Sequence, residues 1–107
     1  MRSLYFTVLC FAVPVLAADT PAESSKSVER ETISKGRSLF LKNCAHCHAD
    51  DATGDEGPDL HHLKQSDTWI EKRIRNGIKG EMPSFREKFT AEDISALIKF
   101  LRTLDNR

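Results

Sequence analysis

Five residues near the middle of the chain, Cys44-Ala45-His46-Cys47-His48, constrain the fold more than any other feature. On a helical turn each residue advances about 100°, so positions i, i+3 and i+4 share one face. Cys44, Cys47 and His48 therefore point the same way, while His46 falls on roughly the opposite side and is not expected to bind. Two thiols on one face can add to the two vinyl groups of a single porphyrin, and the neighbouring imidazole can reach its iron. C-x-x-C-H is the attachment pattern of a c-type haem. Two other readings use the same residues. A C-x-x-C pair is half of many zinc sites, and His61 and His62 would complete a set of two cysteines and two histidines. A disulfide or redox-active pair is the third, and it leaves His48 without a role.

Residues 1–18 read as a secretory signal that is cleaved. Met1-Arg2 is a short positive start, residues 4–16 are mostly apolar, and Val15-Leu16-Ala17-Ala18 offers small residues for cleavage after Ala17 or Ala18. The apolar stretch is too short to span a bilayer, which takes about 20 residues. Cys10 does not read as a lipoprotein cysteine, because a large Leu9 precedes it and further apolar residues follow. Cleavage removes Cys10 and Met1, so that Cys44 and Cys47 become the only cysteines and Met82 the only methionine. The exported product is then one small domain of about 89 residues, a size at which a core is marginal by itself. A large apolar cofactor, covalently held, would add the missing buried surface.

The chain has 16 basic and 16 acidic residues, a balance that gives no support to nucleic-acid binding. The distribution is less even. Asp50, Asp51, Asp55, Glu56 and Asp59 cluster without a base among them, and Lys72, Arg73, Arg75 and Lys79 cluster without an acid. Each cluster reads as a solvated face or as half of a dipole that orients a redox partner.

Residues 19–29 are expected as a flexible leader, because 19–27 are polar and poor in apolar side chains. A single domain follows over 30–107. A helix is expected over about 28–43 with Ser27 as its N-cap, placing Ile33, Gly36 and Phe40 on one face. Glycine costs a helix about 1 kcal/mol relative to alanine, so Gly36 points to the close approach of another helix. Residues 49–66 read as an ordered loop. Residues 67–76 read as a short helix capped by Ser66 or Asp67, ended by Gly77, with Trp69, Ile70 and Ile74 turned inward. Thr90-Ala91-Glu92-Asp93 opens a last helix as a capping-box variant. Ile94, Leu97, Ile98, Leu101 and Leu104 then keep helical spacing. The fold class is all-α, three to four short helices with long loops, and no segment alternates for long enough to form a strand.

A haem iron held by His48 needs a group on its other side. A thioether is a soft ligand that suits one-electron cycling, and a His/Met pair raises the potential. Met82 is the candidate, held in place by Pro83; the alternative role for it is an ordinary core methionine. With these residues in hand, the chain resembles a class I cytochrome c from about residue 30 to residue 104. The matching stretches are Gly36-Arg37-Ser38-Leu39-Phe40, Cys44-Ala45-His46-Cys47-His48, Gly57-Pro58-Asp59-Leu60, Gly80-Glu81-Met82-Pro83-Ser84-Phe85 and Leu97-Ile98-Lys99-Phe100-Leu101. Five stretches in the right order make the case; apart from the haem motif, each is weak by itself.

The resemblance implies a cytochrome c fold around one covalent haem c. Cys44 and Cys47 would form the thioethers, His48 would be the proximal ligand and Met82 the distal one. Pro58 would offer its carbonyl to the ring N–H of His48. Gly36 and Phe40 would meet Phe100 where the first and last helices cross. Trp69 would pack on the haem or reach a propionate, whereas His61 and His62 match nothing and read as exposed loop histidines. The function implied is a periplasmic one-electron carrier with a redox protein as partner and no enzymatic activity, since an open distal position is what a peroxidase or gas-binding protein needs. The alternative is a dedicated electron-accepting subunit of a periplasmic dehydrogenase or of a respiratory complex. Either way a monomer or a small subunit is expected, with no membrane span after cleavage.

Overall fold

The computed structural model describes residues 9–18 and 20–106. Residues 1–8 of the expected export signal, Asp19 of the expected leader and Arg107 lie outside the described residues. Residues 9–18 are exposed and have no regular structure.

Helix α1 runs from Pro21 to Asn43, after Thr20 in extended conformation. It therefore starts well before residue 28, and Ser27 is an interior residue rather than an N-cap. Proline is favoured at the first helical position, where its missing N–H has no partner to lose, and no glycine or second proline stops the helix before Gly36. Residues 21–29, expected as a flexible leader, are thus the exposed first turns of α1. Helix α2, Ala45–His48, follows directly from Cys44, with Ala49 turned to a φ of 65° at its end.

Helix α3, Asp67–Asn76, is capped by Ser66, whose hydroxyl accepts from the Trp69 N–H, and it ends at Gly77. Helix α4, Ala91–Thr103, opens with a complete capping box between Thr90 and Asp93. A 3-10 turn, Leu104–Asn106, closes the chain. The only β pairing among the described residues is an isolated antiparallel bridge between Ile78 and Met82.

The core lies where α1 crosses α4. A Cβ on Gly36 would stand 2.0 Å from the Ala96 carbonyl oxygen and 2.9 Å from Phe100 Cβ, so the two backbones touch there. One turn later, the Phe40 and Phe100 rings pack 5.4 Å apart at 48°, within the range of favourable aromatic pairs. Phe40, Ile94 and Leu97 are the largest fully buried side chains. Ile98, Leu101 and Leu104 are buried as their spacing predicts. Lys35 pairs with Asp93 at 2.7 Å across the same crossing. Helix α3 buries Ile70 and Ile74 against this core, and Trp69, 44% exposed, turns to the wall of the cavity described below rather than into the packed core. The Arg73 guanidinium stands 4.8 Å over the Trp69 indole ring, a cation–π contact that suits a half-wet surface.

No helix among the described residues is long and apolar enough to cross a membrane.

Candidate functional site

All four helices and both long loops wall one cavity of about 380 Å³, within the roughly 300–1,000 Å³ typical of ligand pockets. Cys44, Cys47, His48, Pro58 and Met82 all line it, although 38 residues of sequence separate the first from the last. Phe40, Ile70, Ile74, Leu97 and Leu101 form its apolar floor. A flat apolar macrocycle with reactive edges fits this lining better than a small polar ligand would.

Helix α2 places the first three residues. A single turn, with Cys44 ahead of it and His48 at its end, turns both thiols and the imidazole to the cavity. His46 is exposed, but it also reaches the cavity mouth, with Nε2 3.4 Å from Cys47 Sγ. The helical turn separates it from His48 without removing it from the site. Neither thiol is in a disulfide. Burial pushes the Cys44 thiol up to about 11, with the neighbouring Cys47 adding to the shift and Lys88 opposing it. Cys44 is therefore a neutral thiol at ordinary pH.

His48 is buried. Its Nδ1 lies 2.8 Å from the Pro58 carbonyl oxygen. A carbonyl only accepts, so Nδ1 carries the proton, which leaves Nε2 as the nitrogen that can offer a lone pair. The backbone of Gly57 closes on the same edge of the ring: a Cβ there would stand 2.8 Å from His48 Cε1 and 2.9 Å from Nδ1. The Gly57 N–H donates to the Cys47 carbonyl at 2.7 Å, which ties this loop back to α2. Such an imidazole, oriented by a second group and with one free lone pair, is suited to bind a metal.

Met82 is half-buried and packs against the core. Its backbone exchanges two hydrogen bonds with Ile78, both 2.8 Å long. The hairpin begins at Gly77, whose φ of 64° closes off α3. Ser84 Oγ donates to the Arg75 carbonyl at 2.5 Å and the Phe85 N–H to the Ile74 carbonyl at 3.1 Å. The methionine loop is thus laced to the end of α3 on both sides of Met82. The bridge and the serine contact carry no sequence signal.

The zinc alternative fails on geometry. Among the described residues no group of three or more histidines, cysteines or acids is placed to hold a metal ion. His61 and His62 do not line the cavity that holds the two cysteines; their Nδ1 atoms face Asp59 Oδ1 at 2.7 Å and Asp105 Oδ1 at 3.5 Å. The two charge clusters also look different in space. Arg75 pairs with Glu71 at 2.9 Å and Arg73 covers Trp69, so Lys72 and Lys79 are the exposed bases of that group.

Comparison with known proteins agrees with this geometry. Residues 31–101 match the family model for the cytochrome c oxidase cbb3-type subunit III. A cytochrome c-553-like protein of Synechocystis is 33% identical over 72 residues, which are 65% of this chain and 67% of that protein. Cytochrome cL from Hyphomicrobium denitrificans superposes with a TM-score of 0.64 at 22% identity, over 83% of this chain; the match spans 61% of that longer protein. The KustC0563 c-type cytochrome superposes with a TM-score of 0.60 at 30% identity, over 64% of this chain and 95% of its own.

Proposed function

The chain belongs to the family matched over residues 31–101, c-type cytochromes that carry electrons on a covalently bound haem c, and we propose that it is a periplasmic one-electron carrier with His/Met ligation. What supports the reading is the meeting of two free thiols, an oriented imidazole and a thioether in one apolar cavity. Cys44 and Cys47 would hold the haem through thioethers, with His48 and Met82 as its axial ligands. The bound haem supplies one-electron cycling of its iron. The protein's residues do the rest. Pro58 fixes the tautomer and plane of His48, the Ile78 bridge fixes Met82, and the apolar floor keeps water out and raises the potential. With His48 and Met82 both taken up in holding the haem, no position would be left for a substrate, which is what separates a carrier from a haem enzyme. The residue 1–18 signal would deliver the chain to the periplasm.

A second reading is favoured by the family's description as an oxidase subunit: the same domain would serve as a fixed electron entry point of a respiratory complex. Gel filtration of a native extract separates the two, since a free carrier elutes at the size of one small domain.

The test of ligation is Met82→Ala. Haem should stay attached, the weak near-infrared sulfur-to-iron band of the oxidised protein should disappear, the reduction potential should fall, and cyanide should bind readily. An unchanged band and potential would exclude Met82.

A further inference from the structure

The segment between Pro58 and α3 brings Leu63 and Gln65 onto the cavity wall. Among the described residues, no backbone-to-backbone hydrogen bond outside the helices involves residues 61–65. Charged side chains from the end of α4 and the turn after it take over that role. Arg102 Nη1 donates to the Leu63 carbonyl at 2.8 Å, and Nη2 donates to the Gln65 carbonyl at 2.6 Å. Nε and Nη2 also donate to Asp67 Oδ1, at 3.0 and 2.8 Å. Asp105 accepts from the His62 N–H. One guanidinium therefore grips three residues across a gap of more than 30 positions in sequence.

We propose that Arg102 is a positioning residue for the haem crevice: its guanidinium fixes residues 63–67 as one wall and holds Trp69 at the mouth. This rests on reading the cavity as the haem site. The argument is one of donor geometry. Three acceptors arranged around a planar fork match arginine, and a lysine ammonium is a single point that cannot reach all of them. Bonds from a charged donor are also stronger than neutral ones, which suits a segment lacking backbone bonds of its own. Solvent exposure of a haem is one of the levers that set its potential, so a loose wall should be felt at the iron although Arg102 does not line the cavity.

The test uses the exported, haem-loaded protein with Arg102→Leu, Arg102→Lys and Asp67→Asn. Arg102→Leu should lower the reduction potential and raise the emission of Trp69, the chain's one tryptophan, as it moves away from the quenching haem. Arg102→Lys should fail to restore the potential despite keeping the charge. Asp67→Asn, which spares both carbonyl contacts, should leave the potential near that of the parent. If Arg102→Leu does not fold, Arg102→Lys decides. Arginine variants that melt earlier but keep the parent potential and Trp69 emission overturn the proposal and leave the crevice reading intact. A parent protein without haem absorption overturns both.

Discussion

At the crossing of α1 and α4, a Cβ on Gly36 would come within 2.0 Å of the Ala96 carbonyl oxygen; in the methionine loop, a Cβ on Gly77 would come within 2.3 Å of the Met82 carbonyl oxygen. The two glycines are equally crowded and serve different ends. Gly36 sits in an ordinary helix and lets two apolar surfaces close on each other. Gly77 has a positive φ and redirects the chain so that a single side chain, Met82, comes back over the cavity. Around Gly36, stability comes from many dispersion contacts, none indispensable. Around Gly77, and in the 61–66 segment, position depends on a few directed bonds. The crossing should therefore govern whether the domain folds, and the loops should govern what the folded domain does.

The largest effect is expected from Gly36→Leu. Overpacking costs about 1–3 kcal/mol and more where nothing can yield, and here the obstacle is backbone. A loss of about 3 kcal/mol would lower the melting temperature by roughly 12–24 °C in a domain of this size. Molecules still folded should keep the parent's near-infrared band. A variant melting with the parent would remove the crossing from this comparison.

Gly77→Ala should do the reverse. Forcing alanine into this conformation costs about 1–3 kcal/mol, but the sulfur-to-iron band should weaken or vanish before the helices melt, as followed by absorbance and far-ultraviolet dichroism in one temperature scan. Coincident loss of both signals would show that the loop is not a separate unit.

Asp93→Asn is expected to cost about 1 kcal/mol, the usual worth of a helix cap. Its carboxylate is held below its ordinary value of 3.8, first by Lys35 and then by the Thr90 backbone N–H. A lowered native pKa means that the contribution is fully present above pH 3.8 and is lost as pH falls through the native value. The stability gap between parent and variant should close over that acid range, and the potential at neutral pH should be the same in both.

The smallest effect on the fold should come from reversing the exposed Lys72 and Lys79 to glutamate. Stability should stay within about 0.5 kcal/mol, while electron transfer to an acidic partner slows at low ionic strength and the difference fades with salt. Stopped-flow rates that ignore both charge and salt would mark this cluster as a solvated face.

The crossing was largely legible in the sequence, because a 3.6-residue period and a costly glycine are local signals. Ile94, Leu97, Ile98 and Leu101 declared their burial by spacing, and Thr90 with Asp93 declared the helix start. The N-terminal end of α1 was misread because Ser27 looks like a cap, whereas Thr20 and Pro21 form the actual start. Trp69 was legible in part: its position on α3 suits an inward turn, and the structure places it on the cavity wall, half-exposed, rather than in the packed core.

By itself, the sequence determined which reactive groups the site would bring together: two thiols and an imidazole at a spacing that a single helical turn must put on one face, and one methionine within the domain, which the structure places on the same cavity. It could do so because those constraints act within a few residues, or by scarcity. What only the tertiary structure decided is how the site is held. The hydrogen bond from His48 to Pro58, the Ile78–Met82 bridge and the grip of Arg102 on Leu63, Gln65 and Asp67 join residues 4 to 39 positions apart. No periodicity encodes such contacts, since a guanidinium or a backbone carbonyl finds its partner only after the helices have packed and brought the two within reach.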